Sequence, residues 1–285
     1  MQRSGRIRLI QMAVCLLCCL CLAGCVRAEV PEGVQVPILL YHHFSEQGSG
    51  VTPETFELHM RTLAEAGYTA VTFDQLVNYV QRRGELPERP VCITMDDGYL
   101  SNYEIAWPIL ERYGMKATIF VIGSSVGHTE RYKDTEYPIT PHFTWEQGRE
   151  MVRSGTVDLQ CHTYDMHQWA PYEERSPARE NVLPLEGESE QEYAAALVED
   201  IEAFQRDYRE ALGKRADVLA YPGGQYSEQA EKIVREQGFL ATVTSDASRE
   251  NWIFEGKPES LYGPGRKNIE ESVTAEQLLE MVKCE

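Results

Sequence analysis

The stretch Val91-Cys92-Ile93-Thr94-Met95-Asp96-Asp97-Gly98-Tyr99 decides how this chain is read. Its first five residues are apolar or β-branched and have the length of a buried strand. The run ends on two adjacent carboxylates, which repel one another unless a metal or another partner neutralises one of them. Successive side chains near a strand end point in different directions. One carboxylate can therefore ligate an ion while the other reaches the water on it. By itself, Asp-Asp-Gly-Tyr reads more readily as a turn or as the N-cap of the helix that follows.

The same kind of run recurs on both sides. Strand candidates are Val36–Tyr41, Ala70–Thr72, Val91–Met95, Ala117–Ile122, Thr156–Cys161, Val218–Tyr221 and Ala241–Thr244. Helix-like stretches separate them: Glu54–Ala66, Phe73–Arg82, Asn102–Tyr113, Trp145–Arg153, Glu190–Leu212 and Ser227–Glu236. Several stop at a glycine, among them Gly67, Gly114, Gly155 and Gly213, as helix C-termini do. This alternation argues for an α/β fold with a mainly parallel sheet and helices outside. Seven strands in one domain favour a barrel over an open sheet. Gly127–Phe143 and Ala170–Glu190 break the alternation and follow strand candidates, so in a barrel they are loops on the rim that carries chemistry. Leu261–Asn268 is a candidate edge segment ahead of the amphipathic Ala275–Lys283.

Three further constellations follow strand candidates. Cys161-His162-Thr163-Tyr164-Asp165-Met166-His167 places two imidazoles close in sequence, natural ligands for zinc and related metals. Their spacing of five is not one helical turn, so a loop must bring them together. Taken alone, the pair reads as surface histidines. With Asp97 it supplies two nitrogens and one oxygen, leaving positions open as a catalytic metal requires. Tyr41-His42-His43-Phe44 offers a general acid, or a hydrogen-bonded rim histidine. Ala220-Tyr221-Pro222-Gly223-Gly224 offers a backbone amide to an oxyanion, or an ordinary turn.

Together these four sites resemble the polysaccharide deacetylases, the NodB-homology group of family-four carbohydrate esterases, from about Pro37 to about Thr244. The family's T-F-D-D-G motif stands here as Thr94-Met95-Asp96-Asp97-Gly98. Its H-[ST]-x-x-H motif, in a version one residue longer, stands as His162 to His167. The resemblance implies a distorted (β/α)7 barrel in which Asp97, His162 and His167 bind one divalent ion, zinc first, with cobalt and nickel also accommodated. It implies Asp96 as general base and a backbone amide at Tyr221-Pro222 donating to the oxyanion. The implied substrate is an N-acetylated glycan such as poly-N-acetylglucosamine or peptidoglycan.

Two features depart from the usual pattern. Ala220 stands where the family carries an arginine that holds the catalytic aspartate, and no histidine follows His167. Both departures, with the longer histidine spacing and the early Tyr-His, resemble a subgroup with rearranged motif order. That subgroup includes the biofilm poly-β-1,6-N-acetylglucosamine deacetylases, whose acid histidine comes from the N-terminal Tyr-His segment. His42 takes that role ahead of His43. Arg266 reads first as an exposed basic residue of the tail, and only second as a substitute for the missing arginine beside Asp96. Trp145, Trp169, Tyr164 and Tyr172 lie in or beside the rim loops, where they stack on sugars or serve as packing residues.

The bulk properties agree with a glycan partner. The chain has 285 residues and a net charge of −18. Arg3, Arg6 and Arg8 precede the apolar run Leu9–Ala23, and Leu22-Ala23-Gly24-Cys25 resembles a bacterial lipobox. Cleavage before Cys25 would remove those three arginines and leave a net charge of about −21. Such a balance argues against nucleic acid and against an extended polyanion, and is compatible with a neutral or weakly cationic glycan. The expectation is a leader over 1–28, a catalytic domain over 29–285, and an extracellular or cell-surface lipoprotein. Its only membrane contact would be a lipid on Cys25; ordinary cleavage after Val26-Arg27-Ala28 is the simpler alternative. Of eight cysteines, only Cys92, Cys161 and Cys284 fall in the folded part, an odd number from which no disulfide framework follows, and the first two read as buried hydrophobes. Other functions compatible with these residues are an O-acetyl esterase and a non-catalytic glycan-binding lipoprotein on the same fold.

Overall fold

All seven expected strands form, and the segment after Leu261 does more than supply an edge. The computed structural model describes residues 33–47, 49–174 and 176–284, so the expected leader, the lipobox-like Leu22–Cys25 and the expected lipid site lie outside the described residues. The first half contains β1 (Val34–Gln35), β2 (Ile38–Tyr41), α1 (Pro53–Glu65), β3 (Thr69–Ala70), α2 (Phe73–Val80), β4 (Pro90–Met95), α3 (Trp107–Tyr113) and β5 (Ala117–Val121). The second half contains α4 (Trp145–Ser154), β6 (Val157–Cys161), α5 (Glu190–Leu212), β7 (Val218–Ala220), α6 (Glu228–Glu236), β8 (Ala241–Val243), β9 (Trp252–Ile253), β10 (Lys267–Asn268) and α7 (Ala275–Val282).

Local chemistry sets the helix limits. Thr72, Thr144, Ser189 and Thr274 each accept the N–H of a Gln or Glu three residues on, whose side chain returns the bond. α3, α4 and α5 end on Gly114, Gly155 and Gly213 in the left-handed conformation. The expected helix from Asn102 is split: Asn102–Ala106 forms a wider π turn before α3 begins.

The parallel strands run β10-β2-β4-β5-β6-β7-β8, with β3 beside the first residues of β4. The N–H of Gly263 donates to Thr242 O at 3.0 Å, and that of Thr244 to Pro264 O at 2.9 Å. A few residues later the N–H of Ile269 donates to Leu40 O at 2.9 Å. One segment thus bonds first to β8 and then to β2, closing a distorted (β/α)7 barrel. The short antiparallel pair β1–β9 is an addition that the sequence reading did not anticipate.

Side chains alternate across each strand. Val91, Ile93 and Met95, with Ala117, Ile119 and Val121, pack outward against Met60, Leu110, Met151 and Phe204 of the helices. Cys92, Phe120, Val218, Ala220 and Val243 belong to a second cluster on the opposite face. Both faces are buried, so the strands show no polar alternation in sequence. Two of the buried polar side chains bond to backbone: Thr94 Oγ1 donates to Leu39 O at 2.7 Å, and Gln160 Oε1 accepts from Asp217 and Val218. Cys92 and Cys161 are buried free thiols, and burial pushes both upward in pKa. Among the described residues no helix is long and apolar enough to cross a membrane.

Candidate active site

The C-terminal ends of the strands bring the separate constellations together. Asp96 and Asp97 follow β4, His162 follows β6, and His167 lies five residues further along the same loop. Asp97 and Thr163 both adopt a left-handed backbone, with φ of 73° and 70°, and so turn the chain sharply just past each strand. Asp97 Oδ1 lies 3.6 Å from His162 Nε2 and 3.7 Å from His167 Nε2. Ligand atoms of all three residues lie within 4.8 Å of one another.

Hydrogen bonds on the far side of each ring orient the imidazoles. His162 Nδ1 donates to Ala220 O at 2.8 Å, and His167 Nδ1 donates to Glu180 O at 3.2 Å. Each ring thereby keeps its Nε2 lone pair for a cation, which would also face Asp97 Oδ1. Burial, opposed by Asp96, lowers His162 below the usual imidazole range and favours its neutral, ligating form. Asp97 Oδ1 is buried and accepts no hydrogen bond. A buried carboxylate oxygen without a donor is costly, and a divalent cation between two neutral imidazoles removes that cost. Zinc ligands stand ~2.0–2.2 Å from the ion, which places neighbouring donors a little over 3 Å apart, near the separations seen. The residues fit a divalent ion.

Asp96 is held from the closing segment of the barrel. Arg266 Nη1 and Nη2 donate to Asp96 Oδ1 and Oδ2 at 2.6 and 2.7 Å, and its Nε donates to Thr244 O at 2.9 Å. Arg266 is only 1% exposed. The reading of it as an exposed tail residue is therefore corrected; it fills the place left by Ala220. Burial alone would raise the Asp96 carboxyl, but Arg266 and then His162 outweigh it and hold the group well below the usual carboxylate range. Gly265 lets the segment that carries Arg266 lie against Asp246, since a Cβ there would stand 1.9 Å from Asp246 O. The small residues Gly263-Pro264-Gly265 were the signal available in sequence, and they are shared by any tight turn.

The remaining expected residues divide. The His42 carbonyl accepts from Asn102 Nδ2 at 2.8 Å, tying it to the π turn, and its imidazole is close enough to favour ionised Asp96. His42 also lines a cleft of about 500 Å³ with His43, Asn268 and Glu270. His43 is engaged elsewhere, with Nδ1 on Ser49 O at 3.1 Å and its ring edge against Tyr99. Tyr221 cannot donate its amide to a substrate, because that N–H already donates to Val243 O in the sheet at 3.0 Å. Its hydroxyl is bonded to Glu231. Pro222 has no N–H, so the first donor past the sheet is Gly223.

On the other side of Asp97 and His167 lies a cavity of about 420 Å³. Tyr132 and His142 line it from one rim loop, and Trp169 and Tyr172 from the other. Trp169 is 59% exposed, and the Tyr137 ring stacks on Tyr172 with centroids 4.4 Å apart. Trp145 packs against Phe204 and Tyr208 in the core instead. Lys133 joins the two loops through Asp165 and Glu173 at 2.7 and 2.5 Å.

Comparisons with known proteins bear on the family and the fold. The polysaccharide deacetylase family model matches residues 83–242. YxkH of Bacillus subtilis (strain 168) is 30% identical over 233 residues, covering 80% of this chain and 71% of the relative. The poly-beta-1,6-N-acetyl-D-glucosamine N-deacetylase of Staphylococcus aureus (strain MRSA252) is 25% identical over 66% of this chain, which spans 58% of that relative's length. Among solved structures, IcaB from Ammonifex degensii superposes with a TM-score of 0.69 at 27% identity, covering 89% of this chain and 99% of that one. A de-N-acetylase from Aggregatibacter actinomycetemcomitans shares the fold, with a TM-score of 0.73 at 22% identity over 87% of this chain and all of that one. With the family model, the relatives and the barrel in agreement, this chain belongs to the polysaccharide deacetylases of the NodB type.

Proposed function

We propose that this chain is a divalent-metal-dependent hydrolase that removes N-acetyl groups from a cell-surface polymer of N-acetylglucosamine. The observation that carries the reading is the convergence of Asp97 Oδ1, His162 Nε2 and His167 Nε2 beside an Asp96 clamped by Arg266. A divalent ion held by the three residues supplies Lewis acidity, lowering the pKa of a water and polarising an acyl oxygen. Two nitrogens and one oxygen suit zinc, and also cobalt or nickel.

The chain's own residues supply the rest. Asp96 is kept ionised and oriented by Arg266, so it can accept a proton from the attacking water. His42 donates a proton to the departing sugar nitrogen. Gly223 replaces Tyr221 as the candidate amide for the developing oxyanion. Trp169 and Tyr172 offer faces for sugar rings beside the residue that reacts. The acidic surface tolerates a neutral polymer that becomes cationic as acetyl groups leave. Lipidation of Cys25 would keep the enzyme at the cell surface, where such a polymer is made or deposited. The name of the staphylococcal relative supports poly-β-1,6-N-acetylglucosamine as the first substrate to try.

Paired variants test these roles. Asp96→Asn is expected to lower turnover by roughly 10²–10⁴-fold, the usual contribution of a general base, while bound metal stays near the parent level. His162→Ala is expected to lose both turnover and metal. Full turnover in purified Asp96→Asn would remove Asp96 from the role of base.

A further inference from the structure

The turn that carries both metal-site histidines is held from a different element. Between His162 and His167 the N–H of Tyr164 donates to Asp200 Oδ1 at 2.8 Å, and the next N–H, of Asp165, donates to Asp200 Oδ2 at 2.6 Å. Asp200 lies on α5 and is 9% exposed. That helix is anchored in the core by Tyr193, Leu197, Ile201, Phe204 and Tyr208. From the opposite side, Ser124 N–H donates to Tyr164 O at 2.8 Å and Gly123 N–H to Thr163 O at 3.1 Å. Gly123 is required for that contact, since a Cβ there would stand 2.5 Å from the Tyr164 ring.

We propose that Asp200 is a positioning residue for the metal centre: by accepting two consecutive N–H groups it sets the separation of His162 and His167, and with it the affinity for the ion. The inference rests on the reading of Asp97, His162 and His167 as metal ligands. Asp200 is not itself one of that group. A carboxylate with one oxygen on each of two successive amides fixes the orientation of both peptide planes. An asparagine of the same shape has one acceptor and must face the second N–H with its own NH₂. Burial raises the Asp200 carboxyl to about 6, with the two amide bonds opposing the rise and Asp165 adding to it. Asparagine therefore relieves a buried charge while losing an acceptor, which separates positioning from fold stability.

The test is cobalt(II) titration of the metal-free protein against a chromophoric chelator, with the visible spectrum and thermal unfolding recorded alongside. Asp200→Asn is expected to bind cobalt about tenfold or more weakly, the usual effect of losing a partner that orients ligands. Its ligand-field bands are expected to shift while its metal-free unfolding temperature stays near the parent's. Asp158→Asn, which alters a buried carboxylate away from this turn, is expected to leave cobalt affinity unchanged. Parent-like affinity and spectrum in Asp200→Asn would overturn the proposal. No cobalt binding by the unsubstituted protein would overturn the metal reading and this inference together. Should Asp200→Asn not fold, amide exchange in the unsubstituted metal-free protein decides. Slow exchange at Tyr164 and Asp165 is expected, and free exchange at both would overturn the proposal.

Discussion

At the scale of single residues, the centre depends on which groups have hydrogen-bond capacity left after folding. Asp97, His162 and His167 were legible because each follows a strand run that the sequence displays directly. Arg266 was not, since it stands 170 positions from Asp96 and reaches it only because the barrel closes. The amide at 221 was misassigned for a similar reason. Only the pairing of β7 with β8 shows that the Tyr221 N–H is already used, which moves the candidate donor to Gly223. Replacing Arg266 tests its place in the site. Arg266→Met is expected to lower kcat/KM by roughly 10–100-fold, the range for losing an orienting partner, while metal content is retained. Arg266→Lys is expected to recover little, because an ammonium cannot hold both carboxylate oxygens in one plane. Steady-state kinetics with metal analysis on the same samples would check both, and an unimpaired Arg266→Met would show that Asp96 needs no clamp.

At the scale of elements, strands and helices were readable from apolar runs, hydroxyl caps and glycine stops, while the contents of the rim were not. Gly127–Phe143 was expected as a rim loop, and it contributes Tyr132 and His142 to the cavity beside Asp97, though which of its residues would do so was not legible. No local pattern distinguishes a loop residue that faces the site from one that faces water. Trp169→Ala should raise KM for an N-acetylglucosamine oligomer by about 2–10-fold, the worth of one aromatic contact, with metal affinity and kcat little changed. An unchanged KM would remove Trp169 from the binding surface. The strand β6 carries a second prediction. Burial raises Asp158 from 3.8 to about 6, with Lys214 at 3.7 Å opposing the rise. Its folded pKa lies above its unfolded one, so the stabilisation it contributes is fully present below about pH 4 and is lost as pH rises through about 6. Asp158→Asn has no charge to bury. Its unfolding temperature, relative to the parent's, should therefore climb between pH 4 and pH 8. A difference that stays flat or falls across that range would mean the carboxylate is not buried as described.

At the scale of the whole molecule, a parallel barrel explains why four constellations and Arg266, from distant parts of the chain, meet at one end. Strand–helix alternation announced that architecture, and the family model, YxkH and the IcaB structure agree with it. Closure by the segment after Leu261 was only partly visible, because β10 is two residues long and its neighbours bond to two different strands. The central claim is that this barrel end performs metal-dependent deacetylation of a glycan. The most direct measurement is acetate release by the purified protein from N-acetylglucosamine oligomers, before and after chelation and again after adding zinc or cobalt. The expected result is release that falls to background with chelator and returns with metal. Release that is indifferent to chelation, or no metal-dependent acetate from any amide or ester glycan, would contradict the account.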